Sequence, residues 1–457
     1  MLRKIVKIGF ILLLVISSIV FKNPLIQDLL LTIGGILFIL FFSPKKITFY
    51  ILVAFIIRVI LIFINNFVFV LPAVRGSDAG MFESMGAMWA QNGFIWVIKN
   101  FVSGSFMYSW LIALIYSVFG RNPFIVQLFN SFLSVMVGMY VYKIVGSFLN
   151  EEKAMLPTVI ALFFPSIVYF SVLPLREMVI VFPLVFGVYL FLIWMKSRSI
   201  CIFSLSILMF MISYGFHTAI IYTLCTALVL VVIDLAKHIR HRSRKDVSRD
   251  FYGVILILIV FLIIFETGYG LEKAGWLIST PSTPSTPSNL SLLEKAILYV
   301  KGFSSRVFLR LSEAQKNAAR DRAAYLKNMQ THNFHDLIWQ TPIRVVYFLF
   351  SPLLFQYRSI LDLVGLLDAL AIAFLVAGVF FSLKSVVKES FSRLTLLFML
   401  VGILVFAVTV SNYGTALRHR AKFVPLMLVL SSDFLEKFKL FFKHRSPNEK
   451  NKSPEPN

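Results

Sequence analysis

The run SFMYSWLIALIYSVFG, residues 105–120, is apolar enough to enter a bilayer and short enough to lie along its surface. Which of the two it does sets the parity of every helix that follows. Counted as a span, it would put KHIRHRSRKDVSR (237–249), with Lys237, Arg240, Arg242, Arg244, Lys245 and Arg249, on the far side of the membrane. Loops rich in Lys and Arg are held in the cytoplasm, so that choice breaks the strongest charge signal in the chain. Laid along the outer interface, the run leaves spans at 122–146, 153–172, 175–196, 200–216 and 217–236, and Lys143, Lys153, Lys196, Arg198 and the basic loop all fall inside.

Composition supports this treatment. Of 457 residues 58% are hydrophobic, 14% are charged and 48 are Phe, which excludes an ordinary soluble protein. Alternating ten-residue strands are absent, so a β-barrel is excluded as well. The net charge of +22 is explained by cytoplasmic loops and does not call for nucleic acid. Cys201 and Cys225 lie within apolar spans, which argues against a disulfide or zinc framework. Arg3 and Lys4 precede the first apolar run, Ile5 to Phe21, but no small-residue cleavage site follows, and an uncleaved helix is expected. With further spans at 25–43 and 47–70 and the N-terminus inside, Asp78 emerges outside.

Beyond the basic loop, 251–268 crosses outward and a long outer segment, 269–360, begins. It holds the low-complexity linker STPSTPSTP (279–287), a basic helical run from Ser291 to Gln330, and TPIRVVYFLFSPLLFQYRS (341–359), broken by Pro352 and expected to be interfacial or re-entrant. Spans at 361–384, 392–410 and 421–440 finish the membrane part, with Lys384, Lys388, Lys437, Lys439, Lys443 and Arg445 inside. The expected fold is an all-α polytopic membrane protein of about twelve transmembrane helices, with interfacial helices in the first and the long central outer loops. It divides into a hairpin (1–46), a module at 47–236 with outer loop 71–121, the basic loop 237–250, a helix at 251–268, the outer segment 269–360, a C-terminal group at 361–440 and a disordered cytoplasmic tail, 441–457.

This topology gathers three polar constellations on the outer face. The first is RGSDAGMFESMGAMWAQNG (75–93), where Asp78, Phe82, Met85 and Trp89 form one helical stripe. Asp78 or Ser77 caps that helix, or Asp78 accepts a proton from a hydroxyl, and the two roles are compatible. Glu83 lies on a different face and is expected to be solvated. The second is FFPSIVYFSVLPLREMVIVF (163–182), two helices joined around Pro174, with Arg176 and Glu177 opening the return. Either residue alone suits an interface, Arg176 by snorkelling and Glu177 at a helix N-terminus, but ionisable groups so near the hydrocarbon are costly and favour a function. The third is SNYGTALRHRAKFVP (411–425), with basic outer loop 411–421, whose Arg418, His419, Arg420 and Lys422 break the positive-inside pattern and suit an anionic partner such as phosphate. Arg344, Arg358 and His335 are expected on the same basic surface.

The order of these features resembles the GT-C superfamily of integral-membrane glycosyltransferases, which includes protein O-mannosyltransferases and the bacterial enzymes that add aminoarabinose to lipid A. The likeness rests on the D-A-x-x-F pattern at Asp78 to Phe82, then on the positions of Phe148 to Lys153, Pro165, Ser171 and Glu177, and covers about residues 47 to 235. It implies a polyprenyl-phosphate-linked sugar donor, an acceptor on the outer face, and Asp78 acting as base or positioning the acceptor. Glu177 joins Asp78 in the catalytic set, Arg176, Arg418, His419 and Arg420 are expected on the donor phosphate, and Phe82, Glu83 and Trp89 on the acceptor sugar. The chain departs from the family in having Phe82 where Tyr is common and no second acidic residue beside Asp78. The missing acidic pair weakens the case for a metal, and no cofactor is expected. The basic C-terminal loop favours a lipid or envelope-glycan acceptor, at a bacterial inner membrane with both termini cytoplasmic. Two alternatives stand: a polysaccharide polymerase or ligase using a polyprenyl-diphosphate oligosaccharide, which would need the basic loop but not Asp78, and a lipid or polysaccharide transporter, against which no internal repeat is found.

Overall fold

The computed structural model describes residues 2–69, 78–240, 244–266, 305, 307–319, 323–353, 356 and 360–444. Ser77, Arg358, the repeat at 279–287 and the tail from 445 lie outside the described residues. Within them all regular structure is helical, apart from one isolated antiparallel bridge between Ala324 and Asn412. The first group comprises α1 (Leu2–Val20), α2 (Pro24–Phe42), α3 (Lys45–Phe67), α4 (Asp78–Ala90), α5 (Phe94–Lys99) and α6 (Met107–Phe119). The second comprises α7 (Pro123–Phe148), α8 (Glu151–Phe163), α9 (Pro165–Ser171), α10 (Glu177–Ser197), α11 (Ile200–Phe216), α12 (Ile221–Arg240) and α13 (Arg244–Glu266). The third comprises α14 (Phe334–Phe350), α15 (Ile360–Lys388), α16 (Ser390–Thr409), α17 (Tyr413–Arg420), α18 (Val424–Leu430) and α19 (Ser432–His444).

Asn-Pro pairs start two of these helices. The Asn23 and Asn122 side chains accept from the backbone of Leu25 (3.0 Å) and Phe124 (3.1 Å), while Pro24 and Pro123 take the first helical position, where no N–H is needed. The second pair opens α7, the axis of the fold, which packs on α3, α8, α10 and α18. Buried residues occupy all its faces, which is why its sequence shows no polar stripe.

Among the described residues seven helices are long and apolar enough to cross a membrane, and the bent pair α8–α9 makes eight. That pair turns by 49° where Pro165 opens α9. Of the other expected spans, α1, α11 and α13 contain the shorter apolar stretches Ile5–Val20, Ile200–Phe216 and Phe251–Ile263. The last expected span, 421–440, is two helices: α18, wholly buried, and α19, which starts with Ser432 and Asp433 and runs to His444. Asp433 is drawn to Lys153 at 2.6 Å, and this ion pair docks α19 on the start of α8. The helix α6 has 13 residues, about 20 Å at ~1.5 Å per residue, well short of a hydrocarbon core of ~30 Å.

The inner face of α4 differs from the expected stripe. Ala79, Phe82, Gly86 and Ala87 are buried, whereas Asp78 is exposed. The reason is Gly86: a Cβ there would stand 2.5 Å from Ile112 and 3.0 Å from the Ser109 carbonyl, so the missing side chain is what lets α6 lie against α4.

Arg420, expected beside Arg418 on a phosphate, serves the fold instead. Its Nε donates to Asp368 at 2.8 Å, Nη1 to the carbonyls of Leu349 (3.0 Å) and Ser351, and Nη2 to that of Gly365 (3.1 Å). Asp368 also accepts from the backbone of Ser166 at 3.3 Å, so one buried ion pair ties α17 to α9, α14 and α15. Removing one partner strands the other charge away from water. Asp368→Ala is expected to cost about 3–5 kcal/mol, read as a lower thermal midpoint of the detergent-solubilised protein, and an unchanged midpoint would show that the pair carries no folding load. Gly86→Leu is expected to cost about 1–3 kcal/mol by overpacking α4 against α6, measurable in the same melt.

Candidate active site

The turn between α9 and α10 carries Arg176 and Glu177, and polar side chains of α3 and α7 hold it from beneath. Asn130 donates through Nδ2 to the carbonyls of Leu173 and Leu175 and to the Tyr108 hydroxyl, each at 2.8 Å. Ser131 donates to the Ser171 carbonyl at 3.1 Å. Arg58, fully buried on α3, donates to Ser171 Oγ (3.0 Å) and to the Leu162 carbonyl (2.8 Å), so a cation sits at the C-terminal end of α8 where the chain bends. With these carbonyls bonded by side chains, the turn can stay folded away from water.

Arg176 lies mainly under protein. Its Nη1 donates to the Phe216 carbonyl at 3.0 Å, and its guanidinium carbon lies 5.7 Å from the centroid of the Phe82 ring. Phe82 in turn meets Tyr108 edge-to-face at 5.7 Å. The aromatic contact thus joins α4, which carries Asp78, to the turn that carries Glu177.

The helix α17 completes the site. Asn412 caps it, accepting from Gly414 (2.9 Å) and Thr415 (3.3 Å), and Arg418 comes to lie between two carboxylates. Its Nη1 donates to Asp78 Oδ2 at 2.5 Å and its Nε to Glu177 Oε1 at 2.9 Å. Glu177 has a side chain only 1% exposed, whereas that of Asp78 is 50% exposed. The arginine therefore neutralises a buried acid on one edge and reaches an accessible one on the other. Burial opposes its charge, but Glu177 and Asp78 together carry its pKa above the ordinary arginine value.

Behind Arg418 lies a packed basic and aromatic cluster. The His419 ring meets His217 edge-to-face at 4.9 Å, and its Nδ1 is 2.9 Å from Lys422 Nζ. Burial, reinforced by the neighbouring Lys422, holds His419 well below its usual range, so it is neutral at neutral pH. Lys422 also donates to the Arg418 carbonyl at 3.3 Å.

Asp78, Arg176, Glu177, Arg418 and His419 are thus brought together from three distant segments, with Phe82 as part of the frame. Glu83 is not solvated as expected: only 14% of its side chain is exposed, and it accepts from Arg121 (3.0 and 2.9 Å) and from the Tyr116 hydroxyl (3.0 Å). Trp89 is half-buried, the last residue but one of α4. Arg344 is buried and donates to Ser411 Oγ at 3.2 Å and to the Met329 carbonyl, so it does not belong to a basic surface; His335 is exposed. Sequence reading passed over Arg58, Asn130 and His217. A charge in the middle of an apolar run, as at Arg58, was the available signal. Chemically, the site offers an accessible carboxylate able to accept a proton and a guanidinium able to grip a phosphate.

Residues 103–265 match the family described as dolichyl-phosphate-mannose-protein mannosyltransferase. The matched stretch contains Asn130, Arg176, Glu177 and His217, while Asp78 and Arg418 lie to either side of it. No curated protein matches the chain. The match, over a little more than a third of the chain, agrees with the resemblance drawn from the residues, and together with helices long and apolar enough to span a bilayer it supports a multi-pass membrane glycosyltransferase of GT-C type.

Proposed function

We propose that the protein transfers a sugar from a polyprenyl-phosphate donor to a lipid or envelope-glycan acceptor on the outer face of a bacterial inner membrane, with inversion at the anomeric carbon. The observation that carries this reading is the Asp78–Arg418–Glu177 bridge. Asp78 takes the proton from an acceptor hydroxyl as that oxygen attacks the anomeric carbon. The bond from that carbon to the phosphate oxygen breaks, and polyprenyl phosphate leaves from the opposite face. Arg418, with Arg176 beside it, balances the negative charge that gathers on the leaving phosphate. Glu177 is a positioning residue: it holds Arg418 by Nε and leaves the Nη edge free to turn from Asp78 to the donor. Arg420, bound in the fold, has no part in this scheme.

The charges suit such a donor. Two guanidiniums face two carboxylates, and Lys422 stands behind them, so the site can accept the single negative charge of a phosphodiester. Protein neighbours enclose most of the pair, which strengthens each interaction relative to water.

Purified protein assayed against a panel of radiolabelled polyprenyl-phosphate sugars tests the reading. Asp78→Asn is expected to lower transfer by about 10²–10⁴-fold with an unchanged thermal midpoint, and an active variant removes Asp78 as base. Arg418→Lys keeps a charge but loses the two-edged grip, and an expected drop of roughly 10²–10³-fold in kcat measures its share of the phosphate. If Arg418 is essential while Asp78 and Glu177 are dispensable, and only a diphosphate-linked oligosaccharide serves as donor, the protein is a polymerase or ligase instead.

A further inference from the structure

A cavity lies outside the matched stretch, between residues 328 and 340, and nothing in the reaction above uses it. It is an open depression of about 550 Å³ lined by Asn328, Gln330, His332, Asp336 and Trp339, with Gln340 in its floor.

The floor is a closed polar network. Gln340 Oε1 accepts from Thr331 Oγ1 at 2.9 Å and its Nε2 donates to the Gln330 carbonyl at 3.0 Å. Gln315 donates to Thr331 Oγ1 (3.0 Å) and accepts from the Thr331 backbone (2.8 Å). Arg344 adds a bond to the Met329 carbonyl. Thr331, Gln340 and Arg344 are all buried, so the backbone under the cavity is pinned at each step.

The walls are set as well. Asp336 accepts from the backbone of His332 at 3.0 Å and from the Trp339 indole at 3.4 Å, which orients a ring that stays 46% exposed. The residues named offer amide donors and acceptors, a carboxylate and an aromatic face, and no Lys or Arg is among them. With a carboxylate and no Lys or Arg in the lining, an uncharged ligand is better suited than an anion. A neutral, hydroxyl-rich ligand fits: its hydroxyls meet the amides and the carboxylate, and its apolar ring face meets the indole.

Position points the same way. Tyr325 donates its backbone N–H to Ser411 (3.0 Å) and Tyr413 donates to Ala323 (2.9 Å), so the segment leading into the cavity is stitched to the start of α17. Arg418 lies six residues along that helix from Asn412, about 9 Å at ~1.5 Å per residue. The segment that leads into the cavity and the helix that carries Arg418 are therefore held to one another. Beside the opening, Phe334 and Ile338 are exposed, as suits a mouth at the edge of the bilayer.

We propose that this cavity is a glycan subsite that holds a neutral sugar of the acceptor, stacked on Trp339 and hydrogen-bonded by Asp336, Asn328 and Gln330. The assignment to the acceptor rests on the glycosyltransferase reading; the sugar binding does not.

The test is intrinsic fluorescence of the full-length protein in nanodiscs, titrated with soluble neutral tetrasaccharides of mannose, glucose and N-acetylglucosamine. A saturable change with at least one of them is expected in wild type and in Asp78→Asn, lost in Trp339→Ala and weakened about tenfold in Asp336→Ala. No saturable change with any of the three, or binding unaltered in Trp339→Ala, overturns the subsite. Quenching of Trp339 by brominated lipids that no tetrasaccharide relieves also overturns it and gives this face to the bilayer. Binding that persists while no polyprenyl-phosphate sugar supports transfer upholds the cavity and overturns the donor reading, so the two failures are distinguishable.

Discussion

Glu177 is a carboxylate almost wholly removed from water at the head of a membrane-spanning helix, and a cation beside it is what makes that placement tolerable. The cation comes from 241 residues further along the chain. Its arrival obliges α17 to dock over the start of α10, and that docking brings its other edge to Asp78 on α4. One buried charge therefore dictates where three distant segments meet. The same demand produces the asymmetry of the site, in which one acid is sealed and holds the arginine while the other faces outward.

The frame around this pair is built from polar groups that membrane helices otherwise avoid. Asn130 and Arg58 spend their donors on carbonyls of the α8–α9–α10 bend, so backbone that is not helical can persist without water. Tyr108 and Phe82 then pass the position of that bend to α4. Because Gly86 lets α6 lie close, the first polar segment, the short helix and the turn behave as one packed unit.

The motif RHR at 418–420 shows how helix geometry divides a cluster. Residues two apart on a helix point to nearly opposite sides, about 200° at ~100° per residue. Arg418 consequently turns to the two carboxylates and Arg420 to Asp368, with His419 between them against His217. Three adjacent bases thus hold three separate jobs: charge balance in the site, an ion pair in the core, and an aromatic wall.

Local chemistry made much of this legible from the residues in order. Length of apolar runs marked the long helices, and cations on the wrong side of a charge pattern marked α17 as special. Arg176 and Glu177 stood out because charge near hydrocarbon is costly wherever it occurs, whatever it contacts, Asp78 through its family-like pattern and Arg418 through its place outside the cytoplasm. Partners were another matter. That Glu83 would pair with Arg121, that Arg420 would meet Asp368, and that Arg58 would hold a bend depend on which helices lie side by side. Hydropathy is blind to that, since every helix in a bilayer has an apolar surface. The last expected span divides into α18 and α19 at Ser431, and the Asp433–Lys153 pair beyond that break exists only where α8 and α19 have packed. The sequence by itself determined which residues could not be left alone; the tertiary structure decided with whom each was paired, because a buried charge or hydrogen bond is satisfied by its neighbours in space.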